Sequence, residues 1–166
     1  MVSEAFRGEF YQKVDSKARV SIPAAFRRIL EAEDPASGDS RPRVYMVYGG
    51  KNRNFVECYS RSGADALAAR IDAMELGSVD RDRAERELIS RSVMVEIEPD
   101  GRIVLPQKVR AKMGFAPDES AGEAAFAGFT TRFKLYRRDV YDAENADDDD
   151  DGIDPLALIG RNTRAG

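Results

Sequence analysis

Fourteen residues of this chain occur twice. Val14-Asp-Ser-Lys-Ala-Arg-Val-Ser-Ile-Pro-Ala-Ala-Phe-Arg27 returns 83 positions later as Ile97-Glu-Pro-Asp-Gly-Arg-Ile-Val-Leu-Pro-Gln-Lys-Val-Arg110. Arg19 and Arg102, Pro23 and Pro106, and Arg27 and Arg110 are identical pairs, and apolar character is kept at Val14/Ile97, Val20/Ile103, Ile22/Leu105 and Phe26/Val109. Self-similarity at a fixed offset marks a duplicated structural unit. A unit of about 55 residues built on short strands cannot cover its own sheet edges or bury a sufficient core, so the two copies are expected to pair with each other. Their hairpins would interlock across a pseudo-twofold axis, which would place Arg19 and Arg102 on one surface as near-symmetric partners.

Alternating polarity predicts strands on both sides of a polar turn in each copy. Phe10, Gln12 and Val14 oppose Tyr11, Lys13 and Asp15, and after the turn Arg19 and Ser21 oppose Val20 and Ile22. The second copy repeats this with Val93, Val95 and Ile97, then Arg102 and Val104 against Ile103 and Leu105. Pro23 and Pro106 follow, with φ preset for a first helical turn, and introduce short helices over 24–30 and 107–113. Gly114 suits the C-terminal cap of the second. Further strands are expected at 44–48, 55–59, 123–127 and 132–136. Between the halves, Leu67, Ile71 and Met74 recur at helical spacing, and 80–88 is a second, highly charged helical stretch beyond Gly77.

Composition narrows the function classes. The chain contains no histidine, which removes the commonest general base, the usual transition-metal ligand and every Ser-His or Cys-His arrangement. Gly49-Gly50-Lys51 lacks phosphate-loop spacing and Asp147 to Asp151 lacks the alternation of a calcium loop, so neither a catalytic nor a metal role is expected, and no cofactor. Cys58 is the single cysteine and reads as a small buried hydrophobe. No segment has a membrane-spanning length or the order of a secretory signal, which points to the cytosol.

The net charge of −4 divides unevenly. From Asp142 to Gly166 there are eight acids against Arg161 and Arg164, so the remaining body holds 22 acids and 24 bases. Within 6–28, Arg7, Lys13, Lys17, Arg19, Arg27 and Arg28 face only Glu9 and Asp15. Positive charge is thus concentrated at the first repeat, as a nucleic-acid contact requires. Arg19, on a polar strand face, is the candidate base-reading residue. Arg7, Lys13 and Lys17 are candidates for phosphate contact, and Arg27 and Arg28 read as solvated helix residues. Asp15 and Glu98 are candidates either to orient the arginines or to stabilise the turns.

Ala5-Phe-Arg-Gly8 leading to Val14-Asp-Ser-Lys-Ala-Arg-Val-Ser-Ile-Pro23, with Asp100-Gly-Arg-Ile-Val-Leu-Pro106 and Arg132-Phe-Lys-Leu-Tyr136 later, resembles the MraZ family, bacterial regulators encoded at the head of the division and cell-wall gene cluster. The resemblance runs from about residue 6 to about residue 141. It implies an α+β, mainly β fold with two tandem swapped-hairpin AbrB-like (double-psi-like) modules. The corresponding division is a first SpoVT/AbrB-like repeat at 6–60, a helical spacer at 61–90, a second repeat at 91–141 and an acidic tail at 142–166. It also implies ring-shaped homo-oligomers that bind double-stranded DNA at short direct repeats in the promoter of their own operon, usually as repressors, in the cytoplasm at the nucleoid. The Asp-x-x-x-Arg element would carry DNA contact in each repeat. Here it reads Asp15 and Arg19 in the first copy but Glu98 and Arg102 in the second, and Ala18 stands where Gly101 stands later. The tail is expected to lack fixed structure and to weaken attraction to DNA, with a short helix over 153–159. An antitoxin-like interaction module on the same hairpin fold is the alternative; a single-copy hairpin would favour it, and the duplication and spacer favour a regulator.

Overall fold

The computed structural model describes residues 4–36, 38, 41–119, 121–146 and 152–162. Eight strands form one antiparallel sheet: β1 (Glu9–Val14), β2 (Arg19–Ser21), β3 (Arg43–Val47), β4 (Val56–Tyr59), β5 (Ser92–Glu96), β6 (Arg102–Val104), β7 (Gly122–Phe129) and β8 (Arg132–Arg137). Their order is β5-β3-β4-β8-β7-β1-β2-β6. The two end strands, β5 and β6, are consecutive in the chain and joined by a tight turn in which Glu98 N–H donates to the Arg102 carbonyl at 2.8 Å, so the sheet curls into a nearly closed barrel.

Read as a ring, this order is unchanged when each strand of one half is exchanged for its counterpart in the other. β1 lies along β7 over six residue pairs but meets its chain neighbour β2 at the single pair Val14↔Val20. Likewise β5 lies along β3. Each half therefore lends its first strand to the other half's hairpin, and ladders between halves, β1–β7, β3–β5, β4–β8 and β2–β6, alternate around the sheet with the ladders β3–β4 and β7–β8 within them. The symmetry axis passes through the β2–β6 pair at Val20↔Ile103, with Arg19↔Val104 and Ser21↔Arg102 on either side. Ile22 N–H donates to the Gly101 carbonyl at 3.0 Å, and its counterpart Leu105 N–H donates to the Ala18 carbonyl at 2.8 Å.

This weaving explains why the apolar echo is so well kept. Val20, Ile22 and Phe26 of the first copy and Ile103, Leu105 and Val109 of the second are all buried in one cluster with Phe126, Phe133 and Leu135. Phe26 stacks on Phe133 with centroids 4.9 Å apart and meets Phe6 edge-on at 5.3 Å. Burial of a ring of this size stabilises by about 1.5–3 kcal/mol. Cys58 is fully buried in the same cluster, and desolvation pushes its thiol well above the ordinary value.

Helix α1 (Ala24–Ala32) turns Phe26, Ile29 and Leu30 inward. Pro23 and Pro106 sit one position earlier than expected, as N-terminal caps with extended ψ, where a missing N–H is equally harmless. The spacer is α2 (Arg61–Asp72) and α3 (Val79–Glu85), the latter running into a π-helical turn at Arg86–Ser90. Ser60 and Ser78 cap the two helices through their side-chain oxygens. Ile71 is the only residue of α2 that is buried, while Leu76 between the helices and Val79 at the start of α3 are 80% and 82% exposed. Helix α4 (Gln107–Met113) ends at Gly114, whose φ of 102° provides the left-handed cap. Helix α5 (Arg138–Glu144) packs Tyr141 on Tyr136, and α6 (Pro155–Arg161) lies with its side chains exposed. The acidic run 147–151 falls outside the described residues, whereas 155–161, expected in part as a short helix, is one. Among the described residues no helix is long and apolar enough to cross a membrane.

Candidate nucleic-acid interface

The two repeated turns, 15–19 and 98–102, stand side by side because β2 and β6 are paired. In the first, Asp15 is both a turn residue and an orienter. Its Oδ1 accepts the backbone N–H groups of Lys17 and Arg19, each at 2.9 Å, and its Oδ2 accepts Arg19 Nε–H at 2.8 Å. The Arg19 backbone N–H, ahead of the guanidinium, holds this carboxyl below the ordinary aspartate range. Gripping Nε leaves both Nη groups of Arg19 without a protein partner among the described residues, so the forked end of the guanidinium is available. Its side chain is 37% exposed.

The second turn is mounted differently. Asp100, not Glu98, holds Arg102: Oδ2 accepts Nε–H at 2.8 Å and Oδ1 accepts the backbone N–H at 3.1 Å. The Arg102 side-chain hydrogen bond is the main cause of a lowered Asp100 pKa. Glu98 closes the turn through its backbone, while its carboxylate reaches away to Arg41 Nη1 at 3.0 Å. One extra methylene carries the glutamate past the position from which Asp15 folds back on its own turn. Arg102 Nη1 also lies 3.6 Å from Asp15 Oδ2, so one carboxylate oxygen stands between the arginines of the two repeats. Arg19, Glu98, Pro99, Asp100 and Arg102 line one open depression.

Of the phosphate candidates, Lys17 is exposed on the first turn itself. Lys13 is exposed on β1 opposite Glu123, whose carboxylate is paired with Arg138. Arg7 is exposed but lies beyond the other end of β1, separated from the turn by about 20 Å of extended chain. Arg28 is exposed as expected. Arg27 is not the solvated helix residue that was expected: it is half-buried, its Nε has no partner, and its guanidinium fills the space over Gly101. The identity of Arg27 and Arg110 in the two repeats was the signal for this packing role, and Arg110 is half-buried with an orphaned Nε as well.

The position before each arginine is left-handed, with φ of 61° at Ala18 and 85° at Gly101. A methyl at Gly101 would stand 2.2 Å from Arg27 Nη1 and 2.7 Å from its Cζ. Gly101→Ala is therefore expected to destabilise the chain by about 1–2 kcal/mol from backbone strain alone, and to expel Arg27 from its seat. A fall of a few degrees in Tm checks this; an unchanged Tm would show that the second turn absorbs a methyl as the first does.

Comparison with known proteins places the chain. No family model matches it. It is 46% identical to the transcriptional regulator MraZ of Cereibacter sphaeroides over 164 residues, covering 95% of this chain and 97% of that protein. The chain belongs to the MraZ family. The MraZ of Ruegeria pomeroyi is 38% identical over 156 residues, covering 93% and 90%, and that of Parvibaculum lavamentivorans 27% over 139 residues, covering 84% and 80%. MraZ proteins from these organisms are named transcriptional regulators, so both repeats, the spacer and most of the tail of this MraZ-family chain align with proteins of that class.

Proposed function

We propose that this chain is a sequence-specific DNA-binding transcriptional regulator that recognises short direct repeats in the promoter of its own division and cell-wall gene cluster and represses it. The observation that carries the reading is the mounting of Arg19: Asp15 fixes the guanidinium through Nε and leaves its paired Nη edge exposed at a turn tip. Such an edge matches the O6 and N7 acceptors of guanine in the major groove. Lys17 beside it contributes phosphate attraction without sequence preference, with Lys13 behind it and Arg7 at a distance. The barrel is read as two swapped-hairpin AbrB-like modules in one chain, at 6–60 and 91–141, joined by the spacer at 61–90.

One such tip is a small contact. Around it Lys17, Arg19, Arg41 and Arg102 are set against Asp15, Glu98 and Asp100, a net charge of only +1. Useful affinity then calls for several tips on one DNA, which a ring of subunits supplies by making each further contact intramolecular. The exposed apolar residues Leu76, Val79, Ile89 and Met94, all in or beside the spacer helices, are suited to contacts between subunits. Such an assembly would act on the nucleoid in the cytoplasm.

A footprint on the DNA immediately upstream of this gene tests the reading. Regularly spaced protected segments, lost on scrambling the repeats, are expected. Protection indifferent to sequence would overturn it.

A further inference from the structure

The two arginine tips share a scaffold but not an electrostatic environment. In the first turn the charged residues are Asp15, Lys17 and Arg19, for a net charge of +1; at the same positions of the second they are Glu98, Asp100 and Arg102, for a net charge of −1. The reversal comes from one register position, where Lys17 is replaced by Asp100. It is expressed in the contacts. Arg19 gives up only Nε to a carboxylate, whereas Arg102 is engaged by Asp100 at Nε and faces Asp15 at Nη1. Glu98 is 42% exposed even while paired with Arg41, and Asp100 is 50% exposed, so the second tip shows its acids to solvent.

We propose that this broken symmetry sets the direction in which the chain docks on DNA: the Lys17–Arg19 tip enters the groove, and the Glu98–Asp100 tip is kept off the phosphates, with Arg102 serving as a positioning residue that steadies Asp15. The inference rests on the DNA-binding reading above and deepens it. A scaffold with true twofold symmetry would bind a duplex equally well in two orientations. Direct repeats demand one orientation only, the same for every subunit, because head-to-tail sites have no dyad between them. An acidic residue near the duplex discriminates between orientations by repulsion, the usual route to specificity when the attractive parts are alike.

Arg102 then differs in kind from Arg19. Two arginines converging on the outer oxygen of Asp15 fix that carboxylate more firmly than one. The first tip is thereby pre-set before DNA arrives, which reduces the ordering lost on binding. A positioning residue of this sort changes affinity without adding a base contact or a phosphate contact.

The test uses the full-length protein and duplexes carrying the promoter repeats, titrated across a range of salt. Asp100→Asn is expected to raise affinity at low salt by about two- to fivefold, the worth of one exposed charge, and to bring binding to scrambled duplex up with it. Asp100→Lys, which copies the first tip, is expected to go further and to steepen the salt dependence by about one counterion per subunit engaged. Arg102→Lys keeps the charge and is expected to bind with the wild-type salt slope and base preference, at an affinity a few-fold lower. Weaker binding by Asp100→Asn would overturn the proposal, since it would mean that Asp100 aims Arg102 at DNA. So would altered base preference in Arg102→Lys. If no variant and not even the wild-type protein distinguishes repeats from scrambled duplex, it is the DNA-binding reading that fails, and the two failures are separable.

Discussion

Arg19→Ala is expected to abolish sequence-specific binding to the promoter repeats while leaving the assembly unchanged by size-exclusion chromatography. A bidentate arginine–guanine pair is worth about 1–3 kcal/mol of discrimination, or roughly 5- to 150-fold for each tip engaged. Where several tips of one assembly bind together the losses multiply, so the specific complex should disappear into the non-specific background. Folding should be spared because the Arg19 side chain is more than a third exposed, and its backbone N–H still has Asp15 as acceptor. Residual binding by the variant should keep its dependence on salt, carried by Lys17 and its neighbours, but lose the difference between promoter and scrambled DNA. Affinity like that of the wild type for the repeats would remove Arg19 from the role assigned to it.

The largest expected loss of stability is away from the tips, at Asp34. This carboxylate follows α1 and has no exposed side-chain surface. It accepts Arg43 Nη2 at 2.7 Å and Nε at 3.0 Å, together with the backbone N–H groups of Arg43 and Ala36 at 3.0 Å. The clamp fixes the first residue of β3, and beside it the Pro42 carbonyl accepts Ile97 N–H and Arg41 reaches Glu98. Asp34→Ala takes the carboxylate away from a largely enclosed guanidinium and from the Arg43 backbone N–H, a change that typically costs about 3–5 kcal/mol. Denaturant unfolding is the measurement, and a loss under 1 kcal/mol would show that water enters and replaces the carboxylate. The same pair predicts acid sensitivity. Hydrogen bonding by the Arg43 side chain, ahead of all other causes, lowers the Asp34 pKa from 3.8 to about 2. Because the folded value is the depressed one, the contribution is complete above about pH 4 and is lost as pH falls toward 2. The Asp34→Ala protein should lack that part of the acid transition.

Much of this architecture was legible in the sequence because duplication exposes constraint. Val20/Ile103, Ile22/Leu105 and Phe26/Val109 keep their character in both copies for the plain reason that all of them meet in one core. The expected strands differ from those observed by a residue or two at most ends; β7 is longer, running to Phe129 instead of 127. Which strand pairs with which was less accessible. Alternation specifies a face, not a neighbour, and β1 finds its main partner more than a hundred residues away in β7.

At the candidate site, aligning the repeats drew attention to Glu98 as the counterpart of Asp15, yet the geometry transfers the orienting contact to Asp100. An aspartate directly before glycine is a strong turn signal, and Asp100-Gly101 carried that information. Arg27 was misplaced for a related reason: charge and helical position suggested solvent, and only the absent side chain of Gly101 on the opposite half creates the niche it occupies. Such cross-half complementarity appears only after the halves are assembled.

The interleaving of the two halves has a last consequence. A homodimer of identical half-length chains could build the same barrel, but it would be obliged to carry the same side chain at both tips. Covalent fusion removes that obligation: one copy can change lysine to aspartate and aspartate to glutamate while the shared interior, which needs both copies, holds each to its pattern. In this molecule the seam between ancestral twins is where inherited sameness ends and division of labour begins.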